Sequence, residues 1–188
     1  MRLDALWEWL LNAWIVGEVV IAVAARTRRG QGNVQDRGTQ IMIWVVIVAS
    51  FFAGGWVKGY RAADMPFNPH GLRLAGLALL AAGLVMRIAA IVTLGRSFSA
   101  NVAIRSAQTL QRKGLYRLIR HPSYLGMEMI FLAGLHAHNW ACLTILMVFP
   151  TLAVLYRIQV EETALLSAFG DGYADYMRTT KRLLPGIY

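Results

Sequence analysis

The sequence predicts an all-α, polytopic membrane protein with about five transmembrane helices, the last two forming a helical hairpin, and a cytoplasmic carboxyl-terminal helical segment. Three observations carry that expectation. Hydrophobic residues make up 57% of the 188, charged residues only 15%, and the mean hydropathy is +0.47, far from a soluble globular average. Apolar runs approach the roughly 20 residues that cross a bilayer. Basic residues are spread unevenly over the connections between those runs.

The first run, Leu6 to Ala25, is interrupted by Glu8 and Glu18 and is followed, not preceded, by Arg26, Arg28 and Arg29, so it reads as a mature helix and not a signal peptide. The runs Ile41 to Val57 and Leu72 to Leu94 are the second and third spans. A block from Tyr124 to Tyr156 is too long for one span and breaks near His136-Ala137-His138-Asn139, which gives two helices joined by a tight turn. The polar remainder leaves no stretch for a separate soluble domain, so residues 1–188 form one domain. Trp7, Trp9, Trp14, Trp44, Trp56 and Trp140 fall mostly near span ends and read as an interfacial belt. Cys142 is the only cysteine and lies in an apolar run, which excludes an internal disulfide and a thiolate metal cluster.

With five spans, one face carries fourteen of the nineteen lysines and arginines, including Arg26, Arg28, Arg29, Arg37, Arg96, Arg105 and those from Arg112 to Arg120, whereas the other carries Arg2, Lys58, Arg61 and Arg73. The positive-inside rule then puts the amino terminus outside and the carboxyl terminus in the cytosol, and the expected membrane is a bacterial inner (plasma) membrane. Topology and contact with anionic membrane lipids account for the net charge of +9, so no nucleic-acid partner is implied.

The polar cytoplasmic ends locate a candidate site. In Arg120-His121-Pro122-Ser123-Tyr124-Leu125-Gly126, Pro122 suits the first turn of a helix and biases His121 out of helical geometry. If the hairpin turns near Asn139, His121 lies level with Arg157, and Glu161 lies one turn, about 6 Å, beyond. His121, Tyr124, Arg157, Glu161 and Glu162 then surround one pocket. Free N–H groups at the helix start favour an anion, the carboxylates favour a cation or ribose hydroxyls, Tyr124 offers an aromatic wall and Gly126 permits close approach. A ligand carrying both charges fits best.

The ordered set Leu94-Gly95-Arg96-Ser97-Phe98, Lys113-Gly114-Leu115-Tyr116-Arg117, the Arg-His-Pro run, Glu161-Glu162, Phe169-Gly170-Asp171-Gly172-Tyr173 and Arg182-Leu183-Leu184-Pro185 resembles the isoprenylcysteine carboxyl methyltransferase family, and more loosely the phospholipid N-methyltransferases. The resemblance covers about the last hundred residues. It implies an integral membrane methyltransferase that binds S-adenosyl-L-methionine within about residues 95–188, with His121, Pro122, Tyr124, Gly126, Glu161, Glu162 and Tyr173 as cofactor-binding residues. Tyr173, Tyr176, Arg178 and Arg182 would belong to an amphipathic tail covering that cofactor. The absence of a Gly-x-Gly-x-x-Gly fingerprint excludes the Rossmann way of holding it.

The same resemblance places a substrate-binding arginine at Arg87, within the third span and about 12 Å from its cytoplasmic end. There its guanidinium would grip the carboxylate of a prenylated cysteine; Glu18 and Glu128 are the carboxylates that would otherwise pair with it. Arg87 and Glu161 are the catalytic candidates, Glu161 as the base that an amine acceptor would require. The implied acceptor is a lipophilic small molecule or prenylated substrate at the membrane, with a phosphatidylethanolamine-type lipid as the alternative and an NADPH-dependent membrane reductase as a different reaction class. No metal is expected, because His136 and His138 lack the i,i+4 spacing that places two ligands on one helix face.

Overall fold

The computed structural model describes residues 3–24, 33–34, 38–95, 103–104 and 110–186. Arg26, Arg28, Arg29, Arg37, Arg96, Arg105 and the Arg96 to Phe98 part of the Leu-Gly-Arg-Ser-Phe element lie outside the described residues. The architecture is helical: α1 (Leu3–Ala24), α2 (Thr39–Val57), α3 (Pro69–Leu94), α4 (Pro122–Leu132), α5 (Trp140–Phe169) and α6 (Asp171–Thr179), with one short antiparallel pairing of Asn33–Val34 with Ala103–Ile104. Four of these helices, α1, α2, α3 and α5, are long and apolar enough to cross a membrane. The protein is an integral membrane protein. Its outer surface inverts the soluble pattern: Val19, Val20, Phe52, Val85, Val92 and Leu152 are exposed, as side chains facing lipid should be.

Local sequence explains the helix starts. Pro69 follows Asn68, whose side chain accepts from the backbone N–H groups of His70 (2.9 Å) and Gly71 (3.4 Å). Asn139 caps α5 by accepting from the Cys142 N–H at 3.0 Å. At 30 residues, α5 is about 45 Å long, so its carboxyl-terminal turns extend beyond a hydrocarbon core of roughly 30 Å. That extension lifts Arg157, Glu161 and Glu162 towards the aqueous face.

The fourth predicted span differs from expectation. It is an 11-residue α-helix continued by a five-residue 3-10 turn, Ala133–Ala137, ending where His138 takes a left-handed conformation (φ 56°). The tightening occurs where Gly134 presses against α5: a Cβ there would lie 2.9 Å from Leu146 Cδ1. The reversal before Asn139 nevertheless makes the expected hairpin of α4 and α5.

Helix α4 packs most closely on α3 through glycine. A Cβ on Gly83 would fall 2.6 Å from the Gly126 carbonyl oxygen, and one on Gly126 would fall 2.8 Å from the Gly83 oxygen and 2.9 Å from the Arg87 nitrogen. Small residues permit such backbone approach between membrane helices, where dispersion and polar contacts must replace the hydrophobic effect. Leu80, Phe131, Val154 and Ile158 fill the interior, together with Trp14, which is 3% exposed and packs on Phe51. Trp14 is therefore a core residue and not part of the predicted belt, because it faces the α2 side of the bundle. Trp9 and Trp56 are exposed as a belt requires.

Candidate active site

The chain before α4 leaves a 3-10 turn at Gly114–Arg117 and becomes extended, and α4 begins at Pro122 as its sequence predicts. The extended stretch is met by the segment that follows α6. Arg120 N–H donates to the Lys181 carbonyl (2.8 Å) and His121 N–H to the Arg182 carbonyl (3.0 Å), a parallel strand-like contact continued by Ile119 and Lys181. Backbone groups that a helix start would leave unpaired thereby bind the closing segment to the Arg-His-Pro motif.

Side chains reinforce this closure. Glu162 on α5, 3% exposed, accepts from Arg120 Nε at Oε1 (2.9 Å) and from Arg182 Nε at Oε2 (2.9 Å), while His121 Nε2 lies 3.3 Å from Oε1. Arg120 Nη1 also donates to the carbonyls of Met177 (3.1 Å) and Thr180. One carboxylate thus joins α5, the start of α4 and the closing segment.

Its neighbour does something different. Glu161 is only partly buried, and its Oε2 accepts from the Tyr124 hydroxyl at 3.0 Å. Arg157 Nε donates to the same hydroxyl at 3.3 Å, and Arg157 Nη1 donates to Thr39 Oγ1 at the start of α2. The His121 and Tyr124 rings lie 5.7 Å apart. Helix α6 adds two buried tyrosines. Tyr176 donates to the Tyr116 carbonyl at 2.5 Å, whereas the Tyr173 hydroxyl is buried with no hydrogen-bond partner among the described residues. Burial pushes the Tyr176 phenol up to about 12. It holds Tyr116 and Tyr173 higher still, helped by the negative charge of Glu161 at Tyr116 and of Glu162 at Tyr173.

Of the predicted site residues, His121, Pro122, Tyr124, Glu161, Glu162 and Tyr173 gather where α4, α5 and α6 meet. Gly126 does not join them: the close approach it permits is that of α3, whose Gly83 and Arg87 backbones fill the space a side chain would occupy. Arg87 lies on the α3 side of α4, its fork held by the Glu18 carboxylate of α1, with Nη2 to Oε2 at 2.6 Å, while Nη1 donates to Ser123 Oγ at 2.8 Å. Ser123 connects it to the motif, one residue from both Pro122 and Tyr124. Glu128 is instead bonded to Thr151 Oγ1 at 2.6 Å. His136 stacks on Trp7 with centroids 4.0 Å apart, and His138 contacts the Phe67 carbonyl. The sequence assigns Arg120 no pocket role and Arg182 only a place in the covering tail, although both belong to the quoted motifs and their charge beside a buried carboxylate is the available signal.

Residues 76–167 match the model of the isoprenylcysteine carboxyl methyltransferase (ICMT) family. The matched stretch contains Arg87, the Arg-His-Pro motif and both glutamates. Several named proteins are similar: the protein-S-isoprenylcysteine O-methyltransferase of Tribolium castaneum is 32% identical over 127 residues, 63% of this chain and 43% of that protein. Enzyme A of that name from Arabidopsis thaliana is 32% identical over 124 residues, covering 60% and 58%. A methanethiol S-methyltransferase from Pseudomonas deceptionensis is 34% identical over 76 residues, 39% of this chain and 27% of that protein. Among solved structures, the eukaryotic intramembrane Ras methyltransferase ICMT aligns with a TM-score of 0.61 and 26% identity, over 76% of this chain and 52% of that one. The chain spans about half the length of the curated relatives it matches.

Proposed function

We propose that the protein transfers a methyl group from S-adenosyl-L-methionine to a lipophilic acceptor at the membrane, by carboxyl O-methylation of isoprenylcysteine or a similar lipid-linked carboxylate. The observation that carries this reading is the meeting of a part-buried Glu161–Tyr124 pair with the unpartnered, buried Tyr173 hydroxyl beneath a closing segment fastened to the Arg-His-Pro motif. These groups suit a ligand with a positive centre and hydroxyls. The family match supports the same donor.

S-adenosyl-L-methionine, when bound, supplies an electrophilic methyl group. Glu161 and Tyr124 would hold the cationic or ribose part, with Arg157 keeping the Tyr124 hydroxyl aligned. Glu162 acts through Arg120, His121 and Arg182 as a positioning residue that closes the pocket and excludes water. A carboxylate acceptor is already a nucleophile at pH 7, so alignment and desolvation do the work and no base is required. The proposed topology leaves the carboxyl-terminal site on the cytoplasmic face of the membrane.

A thiol acceptor is the second reading. Glu18 already occupies the Arg87 fork that a substrate carboxylate would need, and one similar protein is a methanethiol S-methyltransferase. Calorimetric titration with S-adenosylhomocysteine and NADPH tests the reaction class; binding of NADPH and not S-adenosylhomocysteine overturns it. Turnover of a prenylcysteine against an alkyl thiol, with labelled donor, then separates the acceptors.

A further inference from the structure

Where α6 passes into the closing segment lies a cavity of about 330 Å³ lined by Arg120, Arg178, Lys181 and Arg182 together with Met177, Thr179 and Thr180. No carboxylate is among its described lining residues. Glu162 bonds Arg120 and Arg182 from within, and Asp175 bonds Arg178. Among the described residues, four cations against two carboxylates leave a local excess of positive charge where the closing segment turns. The cations also adjoin exposed apolar side chains. Leu118, 60% exposed, precedes Ile119, which pairs with Lys181, and Leu184, 45% exposed, follows Arg182 by two residues.

We propose that this cavity binds the phosphodiester of an anionic phospholipid headgroup. A free phosphate would satisfy the charge alone. A phospholipid also covers Leu118 and Leu184 with its acyl chains, and a protein whose helices cross the bilayer presents this surface where such headgroups lie. The consequence is mechanical. A headgroup held by Lys181 and Arg178 fastens the segment whose Lys181 and Arg182 carbonyls bind the Arg-His-Pro motif, so pocket closure becomes sensitive to the anionic lipid content of the membrane. This inference does not rest on the methyltransferase reading.

The test uses the purified full chain in neutral detergent micelles, with phosphatidylglycerol, phosphatidylcholine or inorganic phosphate added at equal concentrations. Native mass spectrometry reads lipid binding and thermal unfolding reads the stability it confers. Phosphatidylglycerol should bind and raise the unfolding midpoint, while phosphatidylcholine and inorganic phosphate should not. Lys181→Ala and Arg178→Ala should each weaken phosphatidylglycerol binding about fivefold, and together about 25-fold, while Lys181→Arg retains it. Both side chains are exposed, so the variants fold. Equal binding of the two lipids overturns the proposal. So does a phosphate effect equal to that of phosphatidylglycerol, which would make the cavity a free-anion site. A loss of S-adenosylhomocysteine affinity in Lys181→Ala without lipid would assign it to the cofactor pocket instead.

Discussion

Arg120 and Arg182 bind opposite oxygens of the one Glu162 carboxylate, each through Nε at 2.9 Å. The first belongs to the stretch before α4 and the second to the segment after α6, so the carboxylate fastens the end of the described chain to the start of the hairpin. Removing the carboxylate from a buried charged cluster leaves its cationic partners without that countercharge, at a cost of about 3–5 kcal/mol. Arg182 is partly solvated, which places Glu162→Gln towards the lower end of that range.

Glu162→Gln should therefore lower the thermal unfolding midpoint and expose the segment after α6 to protease before the rest of the chain opens. Limited proteolysis with mass mapping checks this. Cleavage that starts between α2 and α3 instead would show that Glu162 does not hold the closing segment.

Arg87 has two candidate roles, and Glu18 separates them. Arg87→Ala leaves the Glu18 carboxylate buried and unpaired, so it should destabilise by about 3–5 kcal/mol whether or not the arginine meets substrate. Glu18→Gln is the sharper variant, because it loosens the guanidinium without deleting it. If Arg87 binds the acceptor carboxylate, Glu18→Gln should change KM for a prenylcysteine while sparing S-adenosylhomocysteine affinity. Steady-state kinetics with unchanged KM would leave Arg87 a structural partner of Glu18.

The contact of Gly83 with Gly126 predicts that either glycine resists even a methyl group. Gly126→Ala should destabilise by about 1–3 kcal/mol through overpacking. Its effect on cofactor affinity should be small once the protein is folded, since the added carbon points at α3. Denaturation in mixed micelles and calorimetry on the folded fraction check both halves.

Much of this arrangement is legible in the sequence, for physical reasons that differ by residue. Apolar runs and length specify α1, α2, α3 and α5, and Pro122 marks the start of α4. The hairpin register then brings the His121 and Tyr124 end of α4 towards the Arg157 to Glu162 end of α5, because two antiparallel helices joined by a tight turn have fixed neighbours, while the pairs Tyr124–Glu161 and His121–Glu162 lie further along α5 than that register alone gives. The pairing of Glu18 with Arg87 depends on which faces of α1 and α3 meet, information held in the packing and not in any local pattern. The return of Lys181 and Arg182 to the Arg-His-Pro stretch is likewise a tertiary event. Gly126 reads as a residue of close approach, but periodicity does not say whether a ligand or a helix approaches it.

Stability should fall at alkaline pH. The Tyr176 hydroxyl ionises near 10 in the unfolded chain and is pushed up to about 12 when folded, so the neutral form stabilises the fold. That contribution is fully present below pH 10 and is lost as pH rises towards 12. Tyr116 and Tyr173, raised further by burial, act in the same direction. Unfolding midpoints measured from pH 8 upward, beside tyrosinate absorbance, should drop as the buried tyrosines ionise, and Tyr176→Phe should flatten part of the drop.

Cofactor binding by Glu161 and Tyr124 is tested most directly by calorimetric titration of S-adenosylhomocysteine into wild-type, Glu161→Gln and Tyr124→Phe protein. The wild type should bind saturably and each variant should lose about tenfold or more, the scale of a hydrogen bond to a charged group, with unfolding midpoints little changed. Wild-type protein that takes up no S-adenosylhomocysteine, or variants that bind it as tightly as the wild type, would contradict that assignment.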